Sequence, residues 1–509
     1  MKKIFVIITL SLFSLISCNK ANNFNIPLTK LDRSDKYRTY YEIFPRSYAD
    51  SDGNYIGDLN GITNKLDYIE KMGFNGIWLM PINETTTYHG YDVVDYLKIN
   101  PQLGTMDDFK NLLDKAHKKD INVIMDLVLN HSSDKNTWFI EGSKAFKEGN
   151  TKNKYYDYYN FSLTQDDNHK YISNGIYYEG GFGSNMPDLN LDSENLREDI
   201  KKIVKFYMDL GVDGFRLDAT TWYYFGNTTK NTEFLKWLND YTKSINPNAY
   251  IVGEAWTSGG EITQMYNSGI DSFFSYYNSE CLGKEILYEI VNNNGKSFIK
   301  TNNYLINQAN GHIPAPFITN HDNARAANLL QSKRTSKNTK FGQALLQLST
   351  GSTFTYYGDE IGMLGVNPPD ENVRTHMDFG EKSDCLDPSG STFTKSNYGS
   401  VKDQINDDNS ILNYFKKINY IRNSSEAIRK GNFELLDFND DYILSFRKIF
   451  NDEEKFIIIN FNDNKINYDI SKLNINTKNK ITLCVDNKEK IRIDGNILSM
   501  PSKSIIIYN

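Results

Sequence analysis

From Thr39 onward the chain alternates short apolar runs with stretches of helical periodicity, and this alternation limits the folds open to it. The runs are Thr39–Phe44, Gly76–Met80, Asn122–Leu129, Gly214–Leu217, Tyr250–Gly253, Ser272–Ser275, Ala315–Thr319 and Thr353–Tyr357. Helical patterns fall between most of them, as in Met106–Lys119, Leu196–Leu210 and Glu233–Ser244. Eight βα units in series predict a closed parallel (β/α)8 TIM barrel. At 509 residues the chain exceeds what a barrel of about 250–400 residues needs.

The excess falls in three places. Residues 132–192, between the third and fourth runs, are rich in Tyr, Asn, Gly and charge; a connection this long predicts a small inserted domain at the barrel mouth. The pattern turns to short β-rich runs over 431–509, predicting a C-terminal antiparallel β domain. The barrel is then expected over 36–131 and 193–430. At the other end, Lys2 and Lys3 precede an apolar run, Ile4 to Ile16, that is short for a membrane span. Leu15-Ile16-Ser17-Cys18 resembles the bacterial lipobox. The expectation is a lipoprotein signal peptide over 1–17, acylation at Cys18, a polar tether over 18–35, and export to a bacterial membrane through the lipid anchor. No later segment is apolar enough to span a bilayer. The remaining cysteines, Cys281, Cys385 and Cys484, allow at most one internal disulfide, and no Cys/His cluster has zinc spacing. The formal charge of −7, about −9 once Lys2 and Lys3 are removed, argues against nucleic acid. Aromatics make up 13% of the chain; most must fill the core, but exposed ones suit sugar rings.

Barrel enzymes carry their reactive groups at the C-terminal ends of the strands. The third run is followed by Asn130-His131. The fourth carries Arg216 and Asp218, the fifth leads to Glu254, and the seventh to His321 and Asp322. A single acid at a strand end is commonly a cap or a surface ion pair. Three acids, two His and an Arg, each after its own strand, would converge on one mouth. A retaining glycosidase needs a carboxylate nucleophile and a carboxylic acid about 5–5.5 Å apart. Arg216, two residues before Asp218 on the same strand face, would keep that carboxylate ionised. Ala255-Trp256 would supply an apolar setting that raises Glu254. Asp322, His131 and His321 could hydrogen-bond sugar hydroxyls as charge develops.

In DLVLNH (126–131), GFRLDA (214–219), GEAW (253–256), FITNHD (317–322) and MPDLN (186–190) the sequence resembles the α-amylase family, glycoside hydrolase family 13. The resemblance covers nearly everything from Tyr40 on. It implies Asp218 as nucleophile, Glu254 as acid/base and Asp322 as transition-state stabiliser, with His131, Arg216 and His321 lining the same sugar subsite. Tyr88-His-Gly-Tyr91-Asp92 looks like the loop after strand two; Tyr91 would stack on the sugar and Asp92 would join the substrate-binding set. Asp370 and Arg374, in DENVR, resemble a pair that holds the next glucose. MPDLN looks like members between α-amylases and oligo-1,6-glucosidases, and Ala219 resembles the α-1,4-acting enzymes. The expected substrate is an α-1,4-glucan: starch, glycogen or maltodextrin. Oligo-1,6-glucosidase, neopullulanase-like and glucanotransferase activities are the neighbouring readings, and a non-catalytic maltodextrin-binding lipoprotein is the reading from another class. Thr221 and Trp222 stand where many α-amylases carry Lys-His, and RTHMDF (374–379) departs from the RTPMQW of the oligo-1,6-glucosidase branch.

Asp50, Asp52, Asn54 and Asp58 alternate in DSDGNYIGD. Oxygen donors at every second position, with the Ile56 carbonyl among them, predict a structural Ca2+ loop after strand one. Tyr55 and Gly61 rule out an EF-hand. A second Ca2+ site of typical α-amylases would use Asn130 and Asp188.

Overall fold

The computed structural model describes residues 26–277, 280–330, 336–392, 398–437, 442–471, 473, 475 and 479–508. Residues 1–17, expected as an export signal, and Cys18 lie outside the described residues. Seven parallel strands form one sheet: β1 (Thr39–Ile43), β2 (Gly76–Leu79), β3 (Asn122–Leu127), β4 (Gly214–Leu217), β5 (Tyr250–Gly253), β6 (Ser272–Phe273) and β7 (Thr353–Tyr356). The order is β6-β5-β4-β3-β2-β1-β7. The run at 315–319, read as a strand, makes only two bridges, Phe274↔Ala315 and Phe317↔Phe354. Those bridges reach both open edges and close the ring as a (β/α)8 barrel.

The barrel interior is filled with rings. Tyr40 on β1 stacks on Phe354 of β7 (4.7 Å between centroids) and on Tyr250 of β5 (5.3 Å). Two residues further along β1, on the same strand face, stands Glu42, fully buried. This register sets an aromatic plug below and charged groups above. Strand β4 enters close to β5: at Gly214, φ is +153° and a Cβ would lie 1.8 Å from the Tyr250 carbonyl oxygen. Only glycine fits, and the approach holds Arg216 and Asp218 in register.

The outer helices are capped by their sequence. Thr105 and Asp108 form a capping box on Met106–His117. Ser193 caps Glu194–Leu210, which ends on the left-handed Gly211. Within 132–192 the weak periodicity conceals a helix, Thr137–Glu148, whose buried positions include the small Gly142, Ser143 and Ala145 beside Phe139. A three-stranded sheet follows it (Phe161–Ser162, Ile176–Tyr178, Tyr171–Ser173). A hairpin after β2, Asn83–Thr85 with Val93–Ile99, was not expected from the sequence.

The C-terminal region is antiparallel, a five-stranded sheet beside a three-stranded one. Buried lysines join it to the barrel. Lys448 donates to the carbonyls of Leu348 (2.9 Å) and Ile428 (2.6 Å), and Lys503 to Ile290 (3.1 Å). Leu348 ends one barrel helix, and Ile428 and Ile290 lie in the last turns of two others; carbonyls there have no partner within their helix. Lys448→Met keeps the bulk but strands two buried acceptors. We expect a loss of about 2 kcal/mol or more in denaturant unfolding; a change under about 0.5 kcal/mol would show that the amine does not hold the junction.

Candidate active site

Arg216 sits at the top of the barrel interior with a side chain 1% exposed. Its guanidinium lies 5.1 Å above the Trp78 ring, and three carboxylates surround it. Nη1 donates to Asp126 Oδ1 (2.8 Å) and Asp218 Oδ1 (2.6 Å), and Nη2 lies 2.9 Å from Glu254 Oε2. Strands β3, β4 and β5 thus deliver one acid each to one cation. The contacted oxygens of Asp218 and Glu254 are closer than those two contacts plus the width of a single guanidinium. The Ala219 N–H donates to Glu254 Oε2 (3.0 Å) from a left-handed backbone, φ +47°. That conformation is uncommon for alanine and turns the amide toward the acid.

A second charged group adjoins the first. His321 Nδ1 lies 2.6 Å from Glu42 Oε1; its Nε2 lies 2.7 Å from Tyr91 Oη and 3.1 Å from Asp322 Oδ2. Arg374 holds the other Asp322 oxygen (Nη2–Oδ1, 3.0 Å) and reaches Asp370 through Nη1 (2.6 Å). Tyr88 donates to the same Asp370 oxygen (2.5 Å). Tyr91 Oη also lies 3.3 Å from Asp126 Oδ2, which joins the two groups.

These surroundings separate the acids. Burial raises Glu254; Arg216 opposes it, and Asp218 and Asp322 raise it further. Burial also raises Asp218, against the pull of Arg216. The expectation that Arg216 would hold Asp218 low fails because burial of the carboxylate, with Asp322 nearby, outweighs the pull of the guanidinium. Burial takes Asp126 to about 7 against Arg216. For Asp322 burial is outweighed by His321 and Arg374, and its pKa falls below the ordinary carboxylate range. Burial lowers His321, but Asp322 and Glu42 hold it up at about 9. Burial lowers His131 to about 4, so its imidazole is neutral near pH 7. The ring is buried at the mouth, where the Tyr91 backbone partly offsets the effect of burial.

The expected residues Asp218, Glu254, Asp322, Arg216, His321, Tyr91, Asp370 and Arg374 therefore meet through direct contacts. Two further expectations need correction. Asp92 is fully buried and bound within its own turn: the hydroxyls of Thr85, Thr86 and Thr87 and the Thr86 N–H (3.0 Å) all donate to it. It shapes the loop that carries Tyr91 rather than facing a substrate. Trp256 does not wall Glu254 off from water; it is 47% exposed and stacks on Tyr276 (5.5 Å). Glu42 and Trp78 were not singled out from the sequence, and Asp126 was read only as the head of DLVLNH, without a role. A charge inside a strand buried on both faces, as in TYYEI and NVIMDL, was the available signal.

Carboxylate oxygens of Asp50, Asp52 and Asp58 lie within 4.8 Å of one another. Ligands about 2.3–2.6 Å from a Ca2+ ion can span that distance, and oxygen-only donors suit a hard cation. Asn54 Oδ1 accepts from the Ile56 N–H (2.7 Å), keeping both beside the cluster. Asn130 and Asp188 instead bind each other (Nδ2–Oδ1, 3.0 Å), and burial raises Asp188 to about 7.

A barrel with paired acids on one guanidinium is the architecture of a glycoside hydrolase. The family model described as the alpha amylase catalytic domain matches residues 42–431, and the chain belongs to the alpha-amylase family of glycoside hydrolases. It is 36% identical to Alpha-amylase 3 of Dictyoglomus thermophilum, over 85% of this chain and 87% of that protein. It is 27% identical to an oligo-1,6-glucosidase of Parageobacillus thermoglucosidasius, over 84% and 90%. Among solved structures it is similar to Eubacterium rectale Amy13B, with a TM-score of 0.86 and 35% identity over 94% of this chain and 96% of that one.

A raised His321 contributes stability fully below ~6.5, the ordinary His value. That contribution is lost as pH rises through about 9. Unfolding free energy should therefore fall across this window in the wild type, and the fall should shrink in His321→Gln. Denaturant titrations at several pH values measure it; equal slopes in both proteins would contradict the charged pair.

Proposed function

We propose that the protein is a retaining hydrolase of α-1,4-glucosidic bonds in starch, glycogen or maltodextrins. The observation that carries this reading is the placement of Asp218 and Glu254 on the two arms of one buried guanidinium. Glu254, its pKa raised, donates its proton to the glycosidic oxygen as the C1–O bond breaks. Asp218 attacks C1, with one of its oxygens held by Arg216, to give a glucosyl ester. Glu254, now a carboxylate, takes a proton from water, whose oxygen attacks C1 and releases Asp218. Asp322, held ionised between His321 and Arg374, would bind sugar hydroxyls across the ring. Neutral His131 would hydrogen-bond a hydroxyl of the same sugar. The α-1,4 preference draws on Ala219 after the nucleophile and on the similarity to Alpha-amylase 3.

Two measurements test the reading. Asp218→Asn should lower kcat on maltoheptaose by about 10^4 or more while leaving the unfolding midpoint near that of the wild type. Full activity in that variant, or faster cleavage of isomaltose than of maltoheptaose by the wild type, would contradict it.

Ca2+, held by Asp50, Asp52, Asn54, Asp58 and the Ile56 carbonyl, would act as a structural ion. Bound there it would offset two of the three negative charges of the clustered carboxylates and fix the loop that Asp58 joins to the helix Leu59–Asn64. Chelation should lower the thermal midpoint by several degrees, with recovery on adding Ca2+. No shift in the wild type, or an equal shift in Asp52→Asn, would remove the ion from this loop.

A further inference from the structure

The chain enters the barrel from the face opposite the catalytic mouth, and its entry fixes how an anchored protein can stand on a membrane. Strands β1 to β7 run parallel, so the residues that precede them share that face, the floor of the barrel. Residues 30–38 are fastened across it. Arg33 pairs with Asp213 (2.5 Å), the residue before β4, and its carbonyl accepts from the Asn122 amide (3.0 Å) at the start of β3. Lys36 pairs with Asp271 (2.7 Å), the residue before β6, and its carbonyl accepts from the hydroxyl of Ser352 (2.5 Å), the residue before β7. Arg38 is fully buried and donates to the carbonyls of Asn75 (2.7 Å) and Asp120 (3.1 Å), just before β2 and β3. Three basic residues thus tie one short segment to the entrances of β2, β3, β4 and β6. Upstream of them, Leu28 to Leu31 lie against Gly73, Asn75 and Asn423, still on the floor, and Ile26 packs on the apolar cluster that holds Ile421 and Ile428.

The distance left for a tether is short. Cys18, the expected site of acylation, stands eight residues before Ile26. Fully stretched, eight residues span at most about 29 Å, whatever path they take. The barrel wall, measured along the 17-residue helix Glu194–Leu210, is itself about 25 Å high. A tether climbing that wall would use nearly all its reach before clearing the loops and the insert around the mouth. Charge does not compete with this constraint, because the floor mixes exposed lysines such as Lys71 and Lys118 with exposed acids such as Asp114 and Asp209.

We propose that acylated Cys18 seats the floor of the barrel on the phospholipid headgroups of the membrane, with the catalytic mouth turned away from the bilayer. The short tether and the segment fastened to the floor hold this orientation together. The inference rests on acylation of Cys18 and, for its use, on the glucan reading of the mouth. Asp218 and Glu254 then open on the side where a polymer too large to pass beneath the protein can reach them.

Energy transfer to labelled lipid tests the orientation. Full-length acylated protein is reconstituted into vesicles of phosphatidylethanolamine and phosphatidylglycerol that carry an acceptor dye on their headgroups. Cys281 and Cys385 are buried, and Cys484→Ser removes the half-buried thiol. A donor dye can then be placed at Lys118→Cys on the floor or at Phe225→Cys beyond β4, where the native side chain is 75% exposed. Transfer from position 118 should exceed transfer from position 225 severalfold. Inserting about thirty Gly/Ser residues after Asn25 should shrink that difference, because a longer tether lets the protein turn over. Equal transfer from the two positions, or stronger transfer from 225, overturns the orientation. A difference undiminished by the long linker overturns the tether as its cause. Flotation and mass spectrometry judge the anchor separately: protein that carries no acyl chain and does not float with the vesicles overturns the anchor and the orientation with it. Protein that floats and shows the expected difference but leaves maltoheptaose intact would overturn the glucan reading while the seat on the membrane stands.

Discussion

One guanidinium holds the candidate active site together. Arg216 is fully buried, supported from below by the Trp78 ring, and in contact with acids from three neighbouring strands. Three carboxylates this close and this far from water would repel one another strongly without a cation among them. One cation is too little charge to keep all three ionised, so the protonation of each depends on the others. Burial raises the pKa of Glu254, Asp218 and Asp322 raise it further, and the shared cation only partly opposes them. The demand on the fold is severe: β3, β4 and β5 must run parallel in register, with their ends level, and only a closed barrel supplies that over the whole mouth.

The adjoining pair works in the opposite sense. Glu42 and Asp322 flank His321 and favour its charged form, while Arg374 adds a second cation against Asp322. Asp322 therefore stays ionised while Glu254 is pushed toward its protonated form. The same element, a carboxylate at a strand end, takes two states because one acid shares its cation and the other has two. Tyr91 touches both groups, through His321 and Asp126, and the buried Asp92 turn holds it there.

Most of this mouth was legible because chemistry and topology repeat together: each apolar run ended in a polar group of the type needed. Residues that support the mouth from inside the barrel were harder to read. Glu42 lies within a strand and carries no motif of its own, and Asp126, though it opens DLVLNH, has no role until its partner Arg216 on the next strand is known. Asp92 was misread because its neighbours in sequence suggested a ligand, whereas its hydrogen bonds go to three threonines six or so residues back. The run at 315–319 read as a strand and behaves as an extended segment with two bridges, since its neighbours offer little edge to pair with. The helix Thr137–Glu148 was hidden by glycine, serine and alanine on its buried face, where close packing against Tyr155 and Phe161 demands small residues.

If Asp218 and Glu254 act on one bond from opposite sides, glucose leaves with the configuration it had in the chain, because two inversions restore it. Proton NMR of freshly mixed enzyme and maltoheptaose, recorded before mutarotation, follows the new reducing ends directly. The arrangement on Arg216 predicts α-anomers first, relaxing slowly toward the equilibrium mixture. β-Anomers in the earliest spectra would mean that water, not Asp218, attacks C1.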